Sequence, residues 1–180
     1  FNHVAGKLCI FRDVTVERDL EKQIRHSSNT DFLTGLYNRR CFYQYIHNNR
    51  GSRTVSLMYI DLDRFKEVND TYGHKVGDAV LVHTADVLRQ LFRDDFVARL
   101  GGDEFVLFIQ NAADRRGLER CAEKLVSALN RTFSSTEYSV TVSASIGIVP
   151  VQGGESFAQL YEAADKALYE VKRTRRNGCQ

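Results

Sequence analysis

Apolar residues recur along this chain at two spacings, one typical of helices and the other of strands. Near the start, residues 7–13 alternate loosely and predict a single strand. Since one strand is not stable alone, we expect residues 1–13 to be the end of a preceding domain. Residues 14–29 are charged, with one narrow apolar stripe, and predict a linker or signalling helix that could pair with its twin in a dimer.

From residue 30 to residue 180 the pattern predicts one main domain. Predicted helices cover residues 38–49, 78–92, 118–129 and 157–171, and predicted strands cover residues 54–60, 96–100, 105–109 and 138–149. We expect the last strand to stop at Pro150, and the polar segment 69–78, which carries two glycines, to be a turn. This order predicts an α+β fold, with a central and mostly antiparallel sheet wrapped by helices.

Acidic residues follow or separate the predicted strands at two places. Asp61 and Asp63 come directly after strand 54–60, while Asp103 and Glu104 follow Gly101-Gly102 between two apolar strands. Paired glycines between such strands indicate a hairpin, because glycine tolerates positive φ. If the two elements are neighbours in one sheet, their carboxylates converge and could bind Mg²⁺ together with substrate phosphates. The alternative is that they are solvated turn residues.

Basic and amide side chains could complete a nucleotide site. Lys66 follows the first acidic pair, and Lys172 and Arg176 are four residues apart, on one helix face. Such cations bind phosphates, although a solvated helix end has the same composition. Asn69 and Asp78 could recognise the edge of a base, or could cap helices.

Composition narrows the class of protein only modestly. The chain has 180 residues, enough for one domain and a short appendage, and its net charge of +2 indicates neither nucleic acid nor a membrane as partner. No apolar run is long enough to span a bilayer, and no Walker-type phosphate loop is present. Four scattered cysteines fit no metal site and suit a reducing compartment. Since the start resembles no signal peptide, we expect a cytoplasmic piece of a longer protein, whose parent could be membrane-anchored.

Several motifs follow one another along the chain. They are DFLTGLYNRR at 31–40, DLDRFK at 61–66, NDTYGH at 69–74, RLGGDEF at 99–105, SIG at 145–147 and ADKALY at 164–169, the last followed by Lys172 and Asn177. Together they resemble the motifs of GGDEF domains, the diguanylate cyclase family. The resemblance covers residues 30–178 in the family's order. It implies a fold similar to nucleotidyl cyclases and the polymerase palm.

The resemblance also implies an activity and a metal site. Active GGDEF domains join two GTP molecules into cyclic di-GMP and release two pyrophosphates. By position, Asp61, the Leu62 carbonyl and Asp103 would ligate Mg²⁺ or Mn²⁺, with two ions per site. Glu104 would be a further ligand, or would assist deprotonation of the attacking 3′-hydroxyl.

Substrate contacts are implied in the same way. Asn69 and Asp78 would read guanine. The phosphates would be held by Lys66, Lys172 and Arg176, while Gly101 and Gly102 would let the backbone approach the nucleotide closely.

Two GTP molecules must face each other, so the resemblance implies a homodimer. The beginning of the chain resembles the end of a PAS sensor domain, which implies an upstream sensor, and a phosphodiesterase domain could follow downstream. Two other functions stay open: a silent GTP-binding module that regulates such a phosphodiesterase, and a dimerisation scaffold.

One departure from the family concerns product feedback. Many cyclases carry an R-x-x-D inhibitory site that ends five residues before the signature. Here Asp95 matches, but Phe92 stands in place of the arginine, and Arg93 is one residue away. We therefore predict that feedback through this site is absent or weak.

Overall fold

The computed structural model describes residues 29–48, 55–110, 115–130, 132–134, 139–151 and 155–174. Its strands are β1 (Tyr37–Asn38), β2 (Val55–Leu62), β3 (Phe96–Gly101), β4 (Glu104–Gln110), β5 (Thr132–Ser134), β6 (Ser139–Thr141) and β7 (Ala144–Val151). Its helices are α1 (Arg39–Asn48), α2 (Phe65–Tyr72), α3 (His74–Leu91), α4 (Arg115–Leu129) and α5 (Phe157–Thr174). The predicted preceding domain and most of the linker helix, residues 1–28, lie outside the described residues.

Five strands form one sheet in the order β1-β3-β4-β2-β7. The pair β1–β3 is parallel, and the other neighbouring pairs in this sheet are antiparallel. Strands β5 and β6 form a separate antiparallel pair. With helices packed on the sheet, this is the predicted α+β fold with a mostly antiparallel sheet. None of the described helices has the length and apolar character that crossing a bilayer requires.

The central strand β2 contributes to two cores because its side chains alternate between the faces of the sheet. One face carries Met58, Ile60 and Leu62, which pack in a buried cluster with residues of α3 and α4. The opposite face carries Leu57 and Tyr59, which pack with residues of α1 and α5. Asp61 points to this second face as well, because it is two residues beyond Tyr59. The helix of that face that contacts β2 is α5.

Two expectations about the segment after β2 are corrected. The strand does not stop at residue 60, because Asp61 is still paired with both neighbouring strands and Leu62 with β7. The segment 69–78 is not a turn: α2 continues to Tyr72 and α3 starts at His74. The two helices are separated by Gly73 alone, whose φ of 82° is accessible to glycine.

Two expectations about the later chain are also corrected. Residues 138–149 are not one strand, because β6 and β7 belong to different sheets. Pro150 does not end β7, which continues to Val151. Proline is tolerated there because β7 is an edge strand of the five-stranded sheet.

Helix α5 packs on β7 with its backbone close to the sheet at Gly147. A Cβ atom built on Gly147 would lie 2.8 Å from the backbone nitrogen of Leu168 and 2.9 Å from the carbonyl oxygen of Ala164. Both distances are too short for a real contact, and backbone atoms cannot turn aside as a side chain can. Glycine at this position therefore sets how closely α5 approaches the sheet.

Gly147→Ala should accordingly destabilise the domain. The added methyl group must push α5 away from β7, and overpacking of this kind costs about 1–3 kcal/mol. Urea unfolding followed by circular dichroism measures the change. A loss below about 0.5 kcal/mol, which is usual for surface substitutions, would mean that α5 is free to move and that the contact is not tight.

Candidate functional site

The antiparallel pairing brings the motif residues to one end of the sheet. Strand β2 ends there, the β3–β4 hairpin turns there and β7 begins there. In this register Asp61 lies opposite Glu104 on one side and opposite Ser145 on the other. The convergence of acids predicted from two separate segments is therefore confirmed for Asp61 and Glu104.

Asp61 forms an ion pair with α5. Its Oδ1 atom is 2.6 Å from Nζ of Lys172, which lies one turn beyond the Gly147 contact at Leu168. Burial raises the pKa of the Asp61 carboxyl, and the negative charges of Asp103 and Asp63 raise it further. Lys172 acts in the opposite direction, but its ion pair does not outweigh the loss of hydration.

Asp103 lies beside the end of β2. The Leu62 N–H group donates a hydrogen bond of 3.3 Å to the Asp103 carbonyl oxygen, which ties the hairpin tip to β2. Burial raises the pKa of the Asp103 carboxyl, and the neighbouring charge of Glu104 adds to the effect. The two aspartates are thus a partly desolvated acidic pair.

Asp63 has a different role from Asp61, although both follow the same predicted strand. Its carboxylate accepts hydrogen bonds from the hydroxyls of Ser143 at 3.0 Å and Ser145 at 2.7 Å. Its N–H group donates to the Ser143 carbonyl oxygen at 2.9 Å. Asp63 therefore fastens the end of β2 to the start of β7 and has its oxygens engaged in doing so.

Glu104 lies on the face of the sheet that carries Tyr59. Burial raises the pKa of the Tyr59 hydroxyl, and hydrogen bonding with Tyr161 and Glu104 raises it further. The two tyrosine hydroxyl oxygens are 3.3 Å apart. The Glu104 carboxylate thus has a neutral phenol as a neighbour, a polar group that can orient it.

Arg99 belongs to one of the sequence motifs, but the sequence alone indicated no role for it. Its Nε and Nη2 atoms donate to the Gly102 carbonyl oxygen at 3.0 and 2.8 Å. Its Nη1 atom donates to Oδ1 of Asp31 at 2.9 Å, and both side chains are largely buried. Burial alone would raise the pKa of Asp31, but hydrogen bonds from Thr34 and Arg99 together lower it. Arg99 therefore links the GGDEF tip to the first turn of the domain.

The glycines of the tip have backbone angles that favour glycine. Gly101 has a φ of 146° and Gly102 a φ of 52°. A Cβ atom built on either would meet nothing within 4 Å. Within the chain itself, the need for glycine here is thus one of backbone conformation and not of space.

The proposed base-reading and phosphate-binding residues lie on α2, α3 and α5. Lys66 is exposed in the first turn of α2, and Asn69 is half-buried on the same helix. Asp78 is exposed on α3, directly after Gly77, against which the Asn69 amide packs. The Asn69 amide therefore lies against the residue that precedes Asp78. Arg176 lies outside the described residues.

The acidic pair fits a hard divalent cation in the chemistry of its donors. Within the described part of the chain, no three Asp, Glu, His or Cys side chains are close enough to hold a metal ion unaided. Mg²⁺ does not require such a cage, because one or two carboxylates usually suffice when substrate phosphates supply the remaining ligands. Asp61 and Asp103 offer these carboxylates, and carbonyl oxygen atoms are adjacent in the backbone.

A mostly antiparallel sheet wrapped by helices, with an intact GGDEF hairpin beside Asp61, defines the class of the domain. A family model described as "Diguanylate cyclase, GGDEF domain" matches residues 28–178. The chain belongs to this family.

Curated relatives are similar over most of the chain. Diguanylate cyclase DgcM of Escherichia coli K12 is 37% identical in an alignment of 176 residues that covers 94% of this chain and 42% of that protein. Diguanylate cyclase DgcS of Shewanella oneidensis is 41% identical in an alignment of 153 residues that covers 82% of this chain and 50% of that protein. Cyclic di-GMP phosphodiesterase PdeR of E. coli K12 is 36% identical in an alignment of 171 residues that covers 92% of this chain and 26% of that protein. The chain thus spans half or less of each of these relatives.

A solved structure confirms the fold. The coiled coil and GGDEF domain of DgcB from Caulobacter crescentus, in complex with c-di-GMP, superposes with a TM-score of 0.84 at 30% identity. The match covers 93% of this chain and 92% of that one. It extends the agreement from the motifs to the whole domain.

The raised pKa values of the acidic pair predict a cost in stability. A carboxyl whose pKa is higher in the folded than in the unfolded protein stabilises the fold at low pH, and this contribution is lost as the pH rises through the raised value. In EDTA at pH 7.5, Asp103→Asn should therefore melt at the same temperature as the unmodified protein or a few degrees higher. The gap should narrow at pH 5.

Differential scanning fluorimetry at both pH values measures this effect. Glu123→Gln, which removes an exposed carboxylate of α4, is the matched control and should change neither melt. A clearly lower melting temperature for Asp103→Asn at pH 7.5 would mean that the charged form of Asp103 stabilises the fold.

Proposed function

We propose that this domain is a diguanylate cyclase that condenses two GTP molecules into cyclic di-GMP and releases two pyrophosphates. The observation that carries the proposal is the meeting of Asp61, Asp103 and Lys172 at an intact GGDEF hairpin. Carboxylates and a cation at one sheet end match the needs of phosphoryl transfer, where catalysis rests on positioning and charge stabilisation.

Asp61 and Asp103, with the Leu62 carbonyl, would hold Mg²⁺ or Mn²⁺, and Glu104 is the further acidic residue available to them. Two such ions, when bound, would activate the attacking hydroxyl and stabilise the charge of the leaving pyrophosphate. Glu104 lies opposite Asp61 in the sheet, where it could also accept the proton of the 3′-hydroxyl. Its neighbour Tyr59 would keep the carboxylate in place.

Lys66, Lys172 and Arg176 would bind the triphosphate. Lys172 already neutralises Asp61 at 2.6 Å, so its ammonium group lies where an anionic substrate and the acidic pair would meet. Asn69 and Asp78 would read the base: the Asp78 carboxylate would accept from the guanine N–H groups and the Asn69 amide would donate to an acceptor. Gly101 and Gly102 would let the nucleotide lie against the hairpin backbone.

Each GTP molecule must be attacked by the hydroxyl of the other, so the reaction requires two half-sites. We therefore propose a homodimer in which two domains face each other, each holding one GTP. Control would come from an upstream sensor domain in the same chain, which changes the geometry of the pair, and the domain would act in the cytoplasm. A downstream phosphodiesterase domain is compatible with this arrangement, and nucleic acid has no part in it.

A second function is favoured by one of the relatives. PdeR, named as a phosphodiesterase, is 36% identical over 171 residues. This domain would then bind GTP without condensing it and would regulate a fused phosphodiesterase domain. The intact signature argues for catalysis, since each acidic residue of the proposed mechanism is present.

Product formation distinguishes the two functions. Incubation with GTP and Mg²⁺, followed by chromatography, should yield cyclic di-GMP at a rate that rises more steeply than linearly with protein concentration. Asp103→Asn should lower the rate at least about a hundredfold, because a metal ligand is lost, and Glu123→Gln should leave it unchanged. Full turnover in Asp103→Asn would contradict the mechanism.

GTP binding without product at any protein concentration would favour the regulatory module. Fusion of a dimeric coiled coil to the N-terminus is the control for that result. A fused protein that makes product shows that only the dimer was missing.

Product feedback through the predicted inhibitory position should be weak. Phe92 is an uncharged side chain buried in the core. This position therefore offers no cation to a phosphate. Arg89, beside it in a recess of about 340 Å³, donates a hydrogen bond to the Thr34 carbonyl oxygen. In calorimetric titration we expect no cyclic di-GMP binding tighter than about 1 µM that depends on Asp95. Tight binding that is lost in Asp95→Ala would contradict this expectation.

A further inference from the structure

Gly77 is the fourth residue of α3 and is buried against the side chain of Asn69 on α2. A Cβ atom built on Gly77 would lie 1.9 Å from Oδ1 of Asn69 and 3.0 Å from its Cγ atom. It would also lie 3.3 Å from the Cζ atom of Phe65. The Asn69 amide thus occupies the space that any side chain at position 77 would fill.

The helix itself does not call for glycine at this position. Among the described residues, the glycines with left-handed φ are Gly35, Gly73, Gly101 and Gly102, and Gly77 is not one of them. Alanine is the better helix former in an ordinary helical conformation. Glycine is therefore needed here because a larger side chain would take the space of Asn69. The helix is less stable with glycine than it would be with alanine.

We infer that Gly77 is a specificity-determining positioning residue, which keeps the Asn69 amide beside Asp78 so that the two side chains read one guanine base. This inference rests on the proposed function, in which Asn69 and Asp78 recognise the base. Asp78 is the next residue in the chain, so a shift of Asn69 away from position 77 changes the spacing of the two polar groups. Gly77 itself touches no substrate in this arrangement.

Gly77→Ala should displace the end of Asn69 and leave the fold intact. The atoms in the way are the far end of a side chain, which can rotate, and the added methyl group favours the helix. With one hydrogen bond to the base lost, affinity for a guanine nucleotide should fall roughly tenfold. Affinity for an adenine nucleotide should change little.

The test measures binding and does not require turnover. The probes are 3′-deoxy-GTP and 3′-deoxy-ATP with Mg²⁺, which cannot be condensed because the attacking hydroxyl is missing. Their dissociation constants are compared in the unmodified protein, Gly77→Ala, Asn69→Ala and the double variant. In the double variant the contact with Asn69 is gone and only the ring end of Phe65 has to yield slightly, so Gly77→Ala should add little to Asn69→Ala. Such non-additivity identifies residues that act through one another.

Gly147→Ala is the matched control, because its Cβ atom meets the backbone of α5. It should lower the melting temperature and keep the ratio of the two dissociation constants. If Gly77→Ala unfolds, restoration of the fold by Asn69→Ala supports the contact, and unfolding that persists overturns it.

The remaining outcomes separate this inference from the proposed function. If Gly77→Ala leaves the guanine preference unchanged, the role of Gly77 is overturned and the proposed function stands. The same holds if Gly77→Ala lowers guanine affinity equally in the Asn69→Ala background. Equal losses for both nucleotides overturn the role of Gly77 as well. No guanine preference in the unmodified protein, or none lost in Asn69→Ala, overturns base reading by Asn69, and the inference with it.

Discussion

The register of β2 between its two neighbours is the constraint on which the site depends. Asp61 lies opposite Glu104 in β4 and opposite Ser145 in β7. A slip of one residue would turn Asp61 to the α3–α4 face and bury it among apolar side chains. Asp63 opposes such a slip, because two serine hydroxyls and a backbone bond hold it to the start of β7. The apolar side chains before Asp61 oppose it as well, since every one of them would change faces.

Several features of this site lower the stability of the fold. Asp61 and Asp103 are partly desolvated carboxylates whose charges repel each other. Gly77 is a glycine within a helix. Each is unfavourable for the isolated fold, and each has a role in the proposed reaction with an anionic nucleotide. The cores on the two faces of the sheet supply the stability against which these costs are set.

Sequence patterns predicted the elements whose signal is local, and missed those that depend on distant neighbours. The hairpin at Gly101-Gly102 and the helix over residues 118–129, which is α4, were predicted correctly because turn chemistry and apolar spacing suffice there. Helix α2 was missed because Gly73, which separates it from α3, belongs to a polar segment that was predicted to be a turn. Pro150 was read as a strand end because its tolerance depends on β7 being an edge strand. The role of Arg99 could not be predicted, since Asp31, its partner, is 68 residues away in the chain.

Both edges of the five-stranded sheet are poor templates for a further strand. Strand β1 is two residues long, and Pro150 supplies no N–H group to a neighbour of β7. Joining two sheets edge to edge, a common route to aggregation, is therefore disfavoured at either side. Edges of this kind would help to keep chance encounters between two copies of the domain reversible and would leave pairing to other surfaces.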